Sequence, residues 1–195
     1  MNKPLSRAPQ GACPHLQETR ISGETVFQGN FLQVERHIVR LPDGNTASRE
    51  FIRHPGAVVI LPLFDDGSVL LERQFRYPIE QAVLEFPAGK IDPGEATLAC
   101  AKRELQEETG YTATNWQFVC RVHNALGYSD EFLDIFLARG LTAGESRPDE
   151  EEFIETLRVS AEDLLVWVRR GDVTDVKTVV GALWLEKILA GAWPL

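Results

Sequence analysis

The chain of 195 residues holds only three cysteines, Cys13, Cys100 and Cys120, widely spaced and odd in number. No CxxC pair exists, so neither a zinc site nor a disulfide framework is suggested. Reduced thiols in a cytoplasm are the simplest reading. No apolar run approaches the ~18–20 residues of a membrane span. The first residues, Met1 to Gln17, lack the apolar stretch of a signal peptide. The expectation is a soluble, cytoplasmic protein with no membrane partner. Positive charge is also scarce, with 20 Lys and Arg against 29 Asp and Glu, a net charge of −9. That argues against a general nucleic-acid binder, which needs a basic surface. It leaves open a phosphate-bearing small substrate, because a metal ion can supply the missing charge. What remains is ordinary: 44% hydrophobic and 25% charged residues can build the core of one domain, or of one domain with an extension.

Residues 1–20, with Pro4, Pro9, Gly11 and Pro14 among polar neighbours, read as a loose tail. Alternation from Thr25 to Arg40 predicts two strands, with a turn at Leu41–Asn45 and a continuation over Ala47–Ile52. Gly56–Leu63 is nearly all apolar and reads as a buried strand. Asp65-Asp66-Gly67 then predicts a hairpin into Ser68–Phe75. Further strands are expected at Val83–Phe86, Trp116–Val122, Phe132–Ala138 and Phe153–Val159. Helical periodicity covers Glu95–Thr109 and stops at Gly110, a fitting C-cap. Ser160 caps a helix ending near Gly171, and Val179–Leu189 reads as a final helix. The order implies a mixed α+β layered domain, with residues 1–55 as tail and β extension and 56–195 as the main domain.

The chemistry lies between Gly89 and Tyr111, GKIDPGEATLACAKRELQEETGY. At about 100° per residue, Glu104, Glu107 and Glu108 share one helix face about 100° wide. Leu98, Ala101 and Leu105 form an apolar stripe beside it. Ala96 and Cys100 are small and leave the space above the acids open, while Lys102 and Gln106 point toward solvent. Three like charges on one face repel, and Arg103 is the one nearby cation in sequence. Oxygen-only ligands suit a hard divalent cation, and Mg²⁺ typically takes one or two carboxylates, waters and substrate phosphates. A bare ExxEE is usually just a solvated face. Here, however, Gly89, Glu95, Arg103, Glu104, Leu105, Glu107, Glu108, Gly110 and Tyr111 fit G-x5-E-x7-R-E-U-x-E-E-x-G-U, where U is a bulky apolar or aromatic residue. A random window does so with probability on the order of 10⁻⁹.

That segment resembles the box of the Nudix hydrolases over all its 23 residues. The resemblance implies a Nudix fold, a mixed β-sheet sandwiched between α-helices, and Mg²⁺-dependent hydrolysis (Mn²⁺ an alternative) of a nucleoside diphosphate linked to another moiety. It implies that Glu104 and Glu108 are the principal metal ligands with Glu107 close by. Arg103 would orient a box carboxylate by an ion pair. Ala88 matches a position whose carbonyl ligates metal in some members.

Flanking segments are similar to the ADP-ribose pyrophosphatase branch: Ser48-Arg-Glu, His54-Pro-Gly-Ala-Val, Arg73-Gln-Phe-Arg-Tyr77, Leu84–Asp92, Gly127–Glu131 and Asp175–Thr178. The likeness implies a homodimer that exchanges N-terminal strands, and a small nucleoside diphosphate sugar as substrate. Arg49 and Arg76 match arginines that contact substrate, a role suited to the guanidinium fork. Glu131 matches a position on the ribose side. Phe31 is a candidate for stacking on a base, or else part of the core. In that branch the general base comes from a mobile acidic loop, here Asp149–Ile154, and the match gives Glu152, with Glu150 and Glu151 as rivals. One position departs from the pattern. Leu126 stands where a proline marks ADP-ribose preference, so GDP-mannose and other nucleoside diphosphate sugars stay open. Two further alternatives are a sensor module that binds without cleaving and a triphosphate-directed or RNA-end enzyme. Retention of all four box glutamates weighs against the first. The acidic charge and the N-terminal extension weigh against RNA.

Overall fold

A computed structural model describes residues 13–148 and 152–193. Contacts divide the chain into two units, Met1–Arg53 and His54–Leu195. The first is an antiparallel meander of β1 (Thr19–Gln28), β2 (Gln33–Arg40) and β3 (Thr46–Arg53), in that spatial order. Arg40 pairs with Thr19 on one side and Thr46 on the other, which fixes the register. The strand expected from Thr25 starts instead at Thr19, because the β-branched and aromatic residues Ile21, Thr25 and Phe27 extend the pairing upstream. A short 3-10 turn, Pro14–Leu16, precedes it, so the expected tail is ordered from there on. The first twelve residues of that tail lie outside the described residues. Every residue of β1 is exposed, and only His37 and Val39 of this sheet are buried.

The second unit holds a four-stranded sheet and a three-stranded one. The larger runs in the order β7 (Ala88–Lys90), β4 (Ala57–Pro62), β9 (Leu133–Thr142), β8 (Thr112–Val122), with β4 and β9 parallel. The smaller runs β10 (Ile154–Ser160), β5 (Ser68–Arg76), β6 (Gln81–Glu85). Among the described residues, three α-helices complete it: α1 (Thr97–Thr109), α2 (Ala161–Arg170) and α3 (Val176–Leu189). Strand β4 is apolar at successive positions because both its faces are covered. Val58 and Ile60 join Phe136, Ala138 and the α1 residues Cys100, Ala101 and Leu105 in one core. Val59 and Leu61 join Ile135, Leu137, Val69, Leu71 and the helical residues Leu164, Ala182 and Leu185 in the other.

The turn at Asp65–Gly67 forms, with the Phe64 N–H donating to the Ser68 carbonyl at 2.9 Å. The expected β4–β5 hairpin does not, because after one bridge, Leu63 to Val69, the strands part into different sheets. A strand apolar on both faces needs cover on both, and β5 beside it would not supply it. Helix α1 begins at Thr97, two residues after the sequence expectation, because Glu95 binds the preceding loop by accepting the Asp92 N–H at 3.2 Å. Leu98 is 38% exposed, so it falls outside the apolar stripe assigned to it. Ser160 caps α2 by accepting the Asp163 N–H, and Asp175 caps α3 in the same way through Thr178. No helix among the described residues is long and apolar enough to cross a membrane.

Candidate active site

Helix α1 presents its acids where β7 runs past it. Glu108 is buried, and its Oε2 accepts the Ala88 N–H at 3.1 Å. Ala88 and the next residue pair with Val59 and Val58 of β4, so the sheet fixes the backbone that meets the helix. Gly89 has no side chain where the helix comes close. A Cβ there would sit 1.8 Å from Glu104 Cδ and 2.0 Å from its Oε1. The helix ends at Gly110, whose φ of 76° is left-handed and whose hypothetical Cβ would meet Ser146, Gly144 and Glu145 backbone within 2.9 Å. The Arg147 N–H donates to the Glu107 carbonyl at 2.8 Å. The α1 end thus anchors the segment that leads toward Glu152.

Arg103 gathers the acids around one guanidinium. It donates to Glu95 through Nε and Nη2 at 3.0 and 2.9 Å, and through Nη1 to Glu104 at 2.7 Å and Glu107 at 3.1 Å. Its Nη2 also reaches the Lys90 carbonyl at 3.2 Å. The Arg103 hydrogen bonds hold Glu95 down to about 2. Cys100 is fully buried against β4, with its thiol donating to the Lys90 carbonyl at 3.3 Å, so it packs the core and does not leave space open over the acids.

A further carboxylate joins the cluster from β5. Glu72 is 4% exposed, its carboxyl interacts with that of Glu108, and its Oε1 has no partner among the described residues. Glu152, half-buried just before β10, lies in the field of Glu72, Glu104 and Glu108. Glu150 and Glu151, the rival bases, lie outside the described residues. Burial, then repulsion from Glu72, Glu104 and Glu152, drives Glu108 far above the carboxylate range. Burial likewise raises Glu72, with Glu85 and Glu152 adding to it. Glu104 rises to about 7, chiefly by burial, which outweighs the pull of Arg103.

Beside this cluster stands an ion-pair network. Glu85, opposite Glu72 in the β5–β6 register, accepts Arg76 Nε at 2.7 Å and Nη2 at 2.8 Å. The buried Lys177 ammonium also binds Glu85, and reaches Asp175 at 3.1 Å. Although burial opposes it, the pairing with Arg76 and Lys177 holds Glu85 below its ordinary value. Thr178, next in α3, accepts the Phe86 N–H at 2.9 Å. Glu131 sits 3.5 Å from His54 Nε2 and accepts from Asn124 at 3.2 Å, and the nearby Leu126 is exposed. Arg49 belongs to the other unit, on β3, where it grips Glu18 at 2.9 and 2.5 Å. Phe31, in the same unit, is half exposed and so is not core.

Among the described residues no three acidic, histidine or cysteine side chains enclose an ion as they stand, and Arg103 occupies part of the acidic face. The donor set nonetheless suits a hard divalent cation. It is all oxygen, it accumulates buried like charge, and it leaves one buried carboxylate oxygen unpartnered. Mg²⁺ keeps several waters and takes one or two protein carboxylates, so a closed cage is not required. Sequence reasoning missed Glu72, Glu85 and Lys177. The signal for Glu72 was a carboxylate set directly after the apolar run Val69-Leu-Leu.

Known proteins resemble this chain over most of its length. A model of the NUDIX domain matches residues 53–179, and one of the nucleoside diphosphate sugar hydrolase N-terminal domain matches residues 18–52. An ADP-ribose pyrophosphatase of Bacillus subtilis is 38% identical over 88% of this chain and 94% of its own. A methanol dehydrogenase activator of Bacillus methanolicus is 32% identical over 87% and 93%. The crystal structure of an ADP compounds hydrolase superposes with a TM-score of 0.81 at 27% identity, covering 90% of this chain and 96% of that one.

Proposed function

The chain belongs to the Nudix family of hydrolases, and from that premise we propose that it cleaves the diphosphate bond of ADP-ribose or a related nucleoside diphosphate sugar. The products are a nucleoside monophosphate and a sugar phosphate. The observation that carries this reading is the meeting of Glu104 and Glu108 with the Ala88–Gly89 backbone, with Glu152 in the same field. Glu104, Glu107, Glu108 and the Ala88 carbonyl would hold Mg²⁺, or Mn²⁺ in its place. A bound divalent ion supplies positive charge against the diphosphate oxygens and lowers the pKa of a water.

The chain's own residues do the rest. Glu152 takes a proton from the attacking water. The water oxygen bonds to phosphorus as the bond from that phosphorus to the bridging oxygen breaks, and the bridging oxygen departs with the other phosphate. Arg76, aimed by Glu85, grips phosphate oxygens. Arg49 offers a second guanidinium, and Glu131 accepts from ribose hydroxyls. Arg103 keeps the box carboxylates oriented. Residues 1–55 form the dimer-building extension and 56–195 the hydrolase domain. A sheet whose first strand leaves Ile21, Val26 and Phe27 exposed supports a homodimer through that extension.

The exposed Leu126, in place of a proline, favours a second reading in which the pool of accepted sugar nucleotides is broader than ADP-ribose and includes GDP-mannose. The test is incubation with ADP-ribose and Mg²⁺, followed by a panel of sugar nucleotides, with products identified by mass. AMP and ribose phosphate are expected. No turnover of any nucleoside diphosphate derivative overturns the reading.

A further inference from the structure

We propose that Glu72 is a further cation-holding residue, supplied by β5 and not by the helical box, which turns the one-sided acidic face of α1 into a two-sided site. The proposal rests on the reading of Glu104 and Glu108 as metal-holding residues.

Four observations carry it. Glu72 is 4% exposed, yet its Oε1 has no hydrogen-bond partner among the described residues. Buried carboxylate oxygens are otherwise satisfied, since leaving one unmade is costly. Second, the side chain is joined to the cluster, because its carboxyl interacts with that of Glu108 and lies in the field of Glu152. Third, Lys177, the cation whose charge reaches it, is engaged elsewhere, and so is Arg76 on the same strand. Arg76 gives two of its nitrogens to Glu85, and Lys177 hydrogen-bonds with Glu85 and Asp175. Glu85 stands directly opposite Glu72 across the ladder, so the two basic residues neutralise that strand partner and Glu72 keeps only electrostatic attraction from Lys177. Fourth, the backbone cannot drift. β5 pairs on both sides at this level, with Glu85 of β6 and Thr156 of β10. A carboxylate fixed on a central strand, dry, unpartnered on one oxygen and in contact with a proposed ligand is placed to bind a hard cation or to aim its neighbour at one.

The test uses the full chain, stripped of metal, with Mn²⁺ as probe and no nucleotide present. Free Mn²⁺ is followed by its electron paramagnetic resonance signal during titration. Wild type, E72Q, E72D and E108Q are compared, each with a thermal melt in the metal-free state. E72Q is expected to weaken Mn²⁺ binding by about tenfold or more, and E72D by several-fold in the same direction. E72Q is expected to leave the metal-free melting temperature near that of wild type, since the amide keeps the volume of the carboxyl group, and E72D to lower it by no more than a few degrees, since it removes one methylene. E72D carries the test if E72Q does not fold. Mn²⁺ affinity within twofold of wild type in the Glu72 variants, with E108Q weakened, overturns this proposal and leaves the box reading standing. Undiminished Mn²⁺ binding by E108Q overturns the box reading itself. Weaker binding accompanied by a fall of many degrees in metal-free melting in both Glu72 variants marks the residue as packing and also overturns the proposal.

Discussion

At Gly89 a single methyl group separates an ordered carboxylate from a displaced one. An added Cβ collides with the end of Glu104, a flexible side chain, and not with backbone. The fold therefore survives Gly89→Ala while Glu104 is pushed aside. We expect a melting temperature within a few degrees of wild type and turnover lower by about a hundredfold, the usual consequence of moving a reacting group by an ångström. Steady-state kinetics with ADP-ribose and Mg²⁺ beside a melt will read both, and unchanged turnover would remove Glu104 from the site. Glu152→Gln separates roles within the cluster. As the base, it should lower kcat by about 10²–10⁴ while Mn²⁺ affinity stays near wild type. If Glu150→Gln is the damaging change instead, the base is assigned to the wrong residue of the loop.

At the scale of elements, the site is a junction of α1, the β7 edge, the β5–β6 ladder and the start of α3. Arg76 depends on that junction, because Glu85 fixes its fork while Lys177 and Asp175 fix Glu85. Glu85→Gln leaves Lys177 with one acidic partner in a buried setting. Breaking a buried pair costs about 3–5 kcal/mol, so a clear fall in melting temperature is expected. KM should rise by more than kcat falls, because Arg76 is freed and not removed. Equal loss in both, or none, would detach Arg76 from substrate binding. The same junction explains what could be read beforehand. The box was legible because its acids lie on one helix at 3.6-residue spacing, so their shared face is a property of the local sequence. Gly110 and Ser160 were legible because caps act within a few residues, whereas Asp175 caps a helix that the sequence pattern places only from Val179, three residues late. Glu72, Glu85 and Lys177 were not, since they meet only through strand order and a helix nearly a hundred residues away. The β4–β5 hairpin misled for the same reason. Its turn is encoded locally, but the parting of its strands is decided by what must cover β4.

At the scale of the whole molecule, an acidic chain with a net charge of −9 concentrates part of its repulsion in a dry place. Glu104 ionises near pH 7, and burial together with mutual repulsion holds Glu72 and Glu108 higher still. In the unfolded chain each ionises near the free value of about 4.3. Above that pH the folded state therefore binds more protons than the unfolded one, and stability falls as pH rises. The contribution is whole below about 4.3, erodes through pH 7 as Glu104 ionises, and continues to erode in the alkaline range as the Glu72–Glu108 pair follows. Metal-free protein should thus melt at a lower temperature at pH 8.5 than at pH 6. A divalent ion reverses the order of effects. It competes with protons at pH 6 and meets ready carboxylates at pH 8.5, and it stabilises the folded state by mass action, about 2.7 kcal/mol at a hundred times its Kd. The rise in melting temperature on adding 5–10 mM Mg²⁺, a concentration of order chosen to exceed a weak Kd, should be larger at pH 8.5 than at pH 6, and Glu108→Gln should shrink that difference. Scanning calorimetry at the two pH values, with Mg²⁺ and with a chelator, measures all three quantities. A metal-induced rise that is equal at both would mean that the acids of α1 and β5 are not where the ion binds.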